Sequence, residues 1–240
     1  MGPSEYGQPH YLSSFADGLR QVKQWQTPMA GGKPRHLLPW LTACTYGTMD
    51  AVQTWEEALH SFGSGATGFA FFGVFFHGCF DDPAKLLALS TATALATPFE
   101  DHFLDGTPLI KGAVTATTGE LRAWSGVRLG DSHWLVLTPG DQRGHTAPST
   151  LTLEVNVAPQ SGAEGVKQHA QYAQASWAAC DLTTGQAHPA SRTAAGISIS
   201  ALRLARTTVL HVAPGAAAKC ARLPPSVWLP EPGYNFPSLP

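Results

Sequence analysis

Few residues of this sequence combine reactive chemistry with a position that could use it. His77, Phe80, Asp81 and Asp82 follow directly on the apolar run GFAFFGVFF, and Thr45, Tyr46, Thr48 and Asp50 close or follow RHLLPWLTAC. A carboxyl group can give or take a proton, an imidazole can donate a hydrogen bond, and an aromatic face can stack on an apolar ligand surface. Asp82 and Asp50 have a simpler reading as helix N-caps. Pro83 follows Asp82 at the first helical position, and Gln53 stands three residues after Asp50 as in a capping box. Asp81 is therefore the strongest acid candidate. His77 has two open readings, a donor to a ligand or a side chain packed at a strand end. Tyr46 and Phe80 share that duality, as stacking platforms or as core. Trp40 and Trp55 read as packing, and the Glu56–Glu57 pair reads as the solvated face of a helix.

Other reaction chemistries find no support. The sequence holds no G-x-S-x-G elbow, P-loop, H-E-x-x-H, or G-x-G-x-x-G after a strand. The glycines of SFGSGATGF connect helix to strand, the reverse of a nucleotide-binding turn, so this is a connecting loop. Cys44, Cys79, Cys180 and Cys220 are far apart and form no C-x-x-C pair. They read as buried free thiols, with no metal site and no cofactor implied. The net charge is −2, with Lys and Arg scattered, so no nucleic-acid or anionic-membrane partner is implied. GFAFFGVFF is too short and too interrupted to span a bilayer, which takes about 20 apolar residues. The N-terminal MGPSEYGQPHYLSS lacks the basic and apolar regions of a signal peptide and the hydroxyl that myristoylation requires.

The elements that must position these residues change character near residue 106. Before it, helix and strand alternate. Phe15, Leu19, Val22 and Trp25 recur at helical spacing up to Pro28, and RHLLPWLTAC reads as a buried strand blemished by Pro39. Val52, Trp55, Leu59 and Phe62 form the stripe of a second helix closed by Gly63 and Gly65. GFAFFGVFF is a second strand, and AKLLALSTATALA a third helix running to Pro98. This order predicts an α/β layout with two parallel, neighbouring strands. After residue 106, LIKGAVTATT, HWLVLTP, STLTLEVNVAP, YAQASWAACDL, GISISAL and TTVLHVAP are short β-rich runs between turn signals. They predict an antiparallel β-sandwich over 106–214, followed by a Pro-rich tail over 215–240.

A strand ending PWLTACTYGTMD, a helix, GATGFAFF, a helix ending TPFEDHFLDGTPL and then WLVLTPGD, CDLTTGQ and TVLHVAP together resemble the C-terminal part of glycoside hydrolases. In those enzymes a (β/α)₈ barrel precedes an accessory β-sandwich. The resemblance covers roughly residues 11 to 213. It implies that residues 1–105 are a partial barrel segment of two parallel strands and three helices, the strands being the seventh and eighth. A complete barrel needs eight strands and about 250 residues, so the expectation is of a short gene product without the first six.

The resemblance also assigns roles. Glycosidic hydrolysis takes two carboxyl groups flanking the bond, and barrel active sites lie at the C-terminal strand ends. Asp81 is then the catalytic candidate, with Tyr46, His77 and Phe80 as substrate-binding residues. No carboxylate stands in ACTYG. The implied function is that of a glycoside-hydrolase-like C-terminal portion, inactive as a lone chain. The alternative is a non-catalytic carbohydrate-binding or structural subunit of a larger assembly. Uncovered strand edges would call for a second copy or a partner chain.

Overall fold

The computed structural model describes residues 11–29, 36–41, 51–71, 83–140, 149–156, 176–193, 196–204, 206–215 and 220. Helix α1 spans Tyr11–Met29, and the short strand β1, Trp40–Leu41, follows. Helix α2 covers Ala51–Gly63 and strand β2 Ala70–Phe71. Helix α3, Pro83–Ala96, passes through a 3₁₀ turn at Thr97–Phe99 into α4, Glu100–Asp105. The remaining strands are β3 (Thr107–Pro108), β4 (Val114–Thr118), β5 (Leu121–Leu129), β6 (Ser132–Pro139), β7 (Ser149–Asn156), β8 (Trp177–Asp181), β9 (Ala187–Arg192), β10 (Gly196–Leu204) and β11 (Thr208–Pro214).

Strands β3 to β11 form one nine-stranded sheet in the order β3-β5-β6-β11-β8-β9-β10-β7-β4, and every pairing in it is antiparallel. This overturns the expected partial (β/α)₈ barrel, and the TIM-barrel reading with it. Parallel pairing among the described residues is confined to a two-residue bridge, Trp40 with Ala70 and Leu41 with Phe71, outside the large sheet. The β-sandwich also gives way. The short alternating runs are strands, but they join one continuous sheet that curls rather than two sheets that face each other.

The curl follows from the chain itself. β3 and β4 lie at opposite ends of the sheet order, yet only residues 109–113 separate them in sequence. Those residues bond to both ends: Leu109 N–H donates to Gly126 O at 2.8 Å, and Asn156 N–H to Ala113 O at 2.7 Å. The sheet must bend until its edges approach. Its concave face then encloses Leu135 and Leu137 of β6, Leu153 and Val155 of β7, Ile197 and Ile199 of β10, and Leu210 and Val212 of β11 in one core. These are the inward positions of alternating strands. Burying each such side chain contributes roughly 1.5–3 kcal/mol.

The convex face of β5, β6, β8 and β11 carries a second core, against which the helices pack. Val127, Trp134, Val136, Cys180, Leu182 and Val209 meet Trp55, Leu59, Phe62 and Phe103 there. Trp134 receives Phe103 edge-on, with ring centroids 5.0 Å apart at 90°. Helix α2 lies so close to β5 that a Cβ on Gly63 would stand 2.1 Å from Ser125 Oγ, and only glycine fits. Gly65, at φ +88°, ends the helix in the left-handed conformation.

Two corrections concern charge and sulfur. Glu56 and Glu57, expected on a solvated face, are 1% and 2% exposed. Residues Thr54 to Gly63 of α2 are all buried, because α1 and α3 pack on it as well as the sheet. Cys180 and Cys220, expected as free thiols, form a disulfide with Cα atoms 5.4 Å apart. Their separation of 40 residues hides the pairing in the sequence. Cys44 and Cys79 lie outside the described residues. The CDLTTGQ motif is a turn organised by one carboxylate. Asp181 Oδ1 accepts from Thr183 N–H (2.8 Å) and Thr183 Oγ1–H (2.6 Å), and Oδ2 accepts from Thr184 Oγ1–H (2.8 Å). No helix among the described residues is long and apolar enough to cross a membrane.

Candidate functional site

The residues singled out from sequence, Tyr46, His77, Phe80 and Asp81, lie outside the described residues, as do Asp50 and Asp82. The described strands stop just before them, β1 at Leu41 and β2 at Phe71. Trp55, read as packing, is buried in the helix–sheet core.

Three features of the described residues hold the chemically capable side chains, and sequence reasoning singled out none of them. The first is a polar chain buried between α2 and the convex face of the sheet. Arg122 of β5 donates from Nη2 to Glu56 Oε2 at 2.6 Å, and Thr207 donates from Oγ1 to Glu56 Oε1 at 2.7 Å. Thr138 Oγ1 lies 2.8 Å from Thr207 Oγ1, His60 Nε2 lies 2.9 Å from Thr138 Oγ1, and His60 Nδ1 lies 2.9 Å from Ser125 Oγ. Counting protons, with His60 neutral because burial holds its pKa at about 3, fixes every direction, since a hydroxyl carries one. Thr207 gives its proton to Glu56, so it accepts from Thr138. Thr138 in turn accepts from His60 Nε2–H, and His60 Nδ1 accepts from Ser125.

The neutral imidazole of His60 is thus protonated on Nε2. Burial, followed by the positive charges of Arg122 and Arg20, holds its pKa down at about 3. This row of hydrogen bonds has the direction of a proton relay. Its members other than Arg122 are fully buried, however, so no substrate can reach them. It is a structural element.

The second feature lies at the other end of the same face. Ser132 Oγ stands 2.9 Å from His102 Nε2 and 2.8 Å from His211 Nε2. With one hydroxyl proton, Ser132 donates to one ring and accepts from the other. Phe99 packs against both imidazoles, at 5.7 Å and 4.8 Å between ring centroids. Burial lowers the pKa of His102, and the Asp101 carboxylate pulls it the other way. The bridge joins α4 to β6 and β11. A nucleophile needs an acceptor base, which is present, but no cavity among those described opens onto Ser132. No group of three His, Cys, Asp or Glu among the described residues is arranged to hold a metal ion.

The third feature is a cavity of about 480 Å³ between α2, α3, α4 and the turn at Thr67–Phe69. Its lining includes Phe62, Phe69 and Phe103 together with Thr93, Thr97 and Glu100. Its size is that of a small-molecule site.

The sequence matches no protein family and no curated protein. Among solved structures, the crystal structure of Thermotoga maritima α-fucosidase shows a weak likeness, with a TM-score of 0.37 and 11% sequence identity. The match spans 73% of this chain and 38% of the fucosidase chain. A likeness at that level carries no argument about chemistry.

Proposed function

We propose that this chain is the C-terminal portion of a glycoside-hydrolase-like protein, and that it binds carbohydrate without turning it over alone. The observation that carries this reading is the parallel register of Trp40 with Ala70 and Leu41 with Phe71. The described strands end side by side at Leu41 and Phe71, and Tyr46 on the one hand and His77, Phe80 and Asp81 on the other follow them in sequence. Together they would offer two aromatic faces, one imidazole and one carboxyl. That set can stack a sugar ring and bond its hydroxyls, but hydrolysis takes a second carboxyl group. Glu56, a buried carboxylate among the described residues, is engaged by Arg122 and Thr207.

The test is a titration of the whole chain with monosaccharides, followed by NMR, alongside an assay with aryl glycosides. Affinities in the millimolar range, about 4 kcal/mol, are expected, weakened by Asp81→Ala and by His77→Ala, with no turnover. Turnover that disappears in Asp81→Ala would show a complete enzyme instead.

A partner-binding role has one observation in its favour. Leu86 and Leu87 on α3 are 46% and 48% exposed, and Trp25 on α1 is 66% exposed. Light scattering would reveal a second copy. A monomer at high concentration would remove self-association from consideration.

A further inference from the structure

We infer that the Cys180–Cys220 disulfide is a redox switch worked from one side: a small thiol exchanges at the Cys220 sulfur, and breaking the bond loosens the fold. The inference uses none of the residues of the carbohydrate site proposed above.

Its basis is the unequal setting of the two sulfurs. Cys180 stands inside β8, paired with His211 of β11 on one side and with Ala187 of β9 on the other. It is 2% exposed and belongs to the core that holds Trp134, Leu182 and Val209. Cys220 packs against the same core but is only partly buried. Thiol–disulfide exchange is a displacement at sulfur, so its rate depends on which sulfur the thiolate can reach. A thiolate aimed at Cys180 would have to carry its charge into the core, which is costly. One aimed at Cys220 meets a residue that keeps part of its surface exposed.

The step balances with a thiol as the one co-reactant. The thiolate forms a bond to Cys220 Sγ, the Cys180–Cys220 bond breaks, and its electron pair leaves on Cys180. Apolar surroundings disfavour a thiolate, so Cys180 takes up the proton that the attacking thiol gave to water. A second thiol group then displaces Cys220 from the mixed disulfide. Two cysteine thiols remain, and the reagent has been oxidised by two electrons.

Opening the bond acts on a large part of the sheet. The two cysteines are 40 residues apart in sequence, and β9, β10 and β11 lie between them. β11 is the strand that joins β6 to β8. Without the cross-link the unfolded chain regains the freedom that a closed loop denies it, so the reduced fold is the less stable one.

The experiment treats the full-length chain with graded glutathione at neutral pH, quenches in acid and maps the peptides by mass spectrometry, which reads each cysteine separately. Adducts on Cys220 are expected to exceed those on Cys180 by roughly tenfold or more. Dithiothreitol, a dithiol, should convert both to thiols without denaturant and lower the thermal midpoint by roughly 8–16 °C. Reoxidation should restore it. The part of the shift that belongs to this bond is the part that Cys180→Ser removes. If that variant does not fold, mapping of partly reduced samples assigns the shift to the cysteines that open with it. Equal adducts on Cys180, a bond that yields only in urea, or a thermal midpoint unmoved by complete reduction would each overturn the inference.

Discussion

Thr207 donates its hydroxyl proton to the Glu56 carboxylate at 2.7 Å, across 151 positions of sequence, and so ties the start of β11 to the middle of α2. Arg122 holds the other oxygen of the same carboxylate from β5. One buried anion thus fastens a helix to two strands.

Removing one partner of that pair should cost more than removing both. Arg122→Ala leaves the Glu56 charge buried without its cation, for an expected loss of roughly 3–5 kcal/mol. Glu56→Leu combined with Arg122→Met removes both charges and should recover most of the deficit. Urea unfolding of the single and double variants measures the difference; equal losses would mean that the pair is not coupled.

Acid should weaken the fold through two buried imidazoles. Burial and nearby arginines hold His60 at about 3 and His133 at about 4, against an ordinary value of 6.5. The unfolded chain takes up these protons below pH 6.5 while the folded one does not. Stability is therefore full above 6.5 and falls with pH, through about 4 for His133 and toward 3 for His60. The slope is roughly 1.4 kcal/mol per pH unit for each group. His60→Gln should remove one proton's worth of slope in urea midpoints taken from pH 7 to pH 4. Nitrogen NMR should show His60 protonated on Nε2.

Ala201 sits at φ +57° in the irregular pairing of β10 with β7, where no other described non-glycine residue has positive φ. The left-handed region costs a residue with a Cβ about 1–2 kcal/mol, and glycine gives back part of that in unfolded-chain entropy. Ala201→Gly should stabilise by about 0.5–1 kcal/mol, read as a rise in the urea midpoint. A loss would show that the bulge is held in place by the methyl group.

The boundary near residue 106 is proposed as a folding boundary. A fragment from Gly106 to Pro214 keeps the concave core intact and should unfold cooperatively. Without α1 to α4, it exposes Val127, Trp134, Val136 and Val209, so it should bind a hydrophobic dye that the whole chain does not. A fragment with no cooperative transition would show that the sheet depends on the helices.

The sequence made some elements plain and concealed others for identifiable reasons. Alternation marks β7 in TLTLEVNV, and HWLVLTP and TVLHVAP fall on β6 and β11. β5 escaped notice because Ser125 and Gly126 break its apolar run, although they are there to admit His60 and the Leu135 side chain. β9, with the sequence AHPASR, has almost no apolar residues to betray it. The Glu56–Glu57 pair read as solvated because one stripe explains an amphipathic helix, whereas α2 is covered on several sides. The single curled sheet was hidden because its order joins β6 to β11 and β7 to β10, pairings that no local pattern records. At the candidate site, residue types suggested chemistry at Tyr46, His77 and Asp81.

The place of β11 bears on how the protein is made. It is the last described strand in chain order, yet it lies mid-sheet, between β6 and β8. On the ribosome, β11 is the last of these strands to emerge, so β6 and β8, which it separates in the sheet, gain their shared neighbour last. Until then β6 and β8 each present a row of unpaired amides, the kind of edge that recruits other chains. The nascent protein therefore waits with two open edges for a seven-residue strand. Truncating the chain before Thr208 should leave both edges open for good and increase aggregation relative to the full chain.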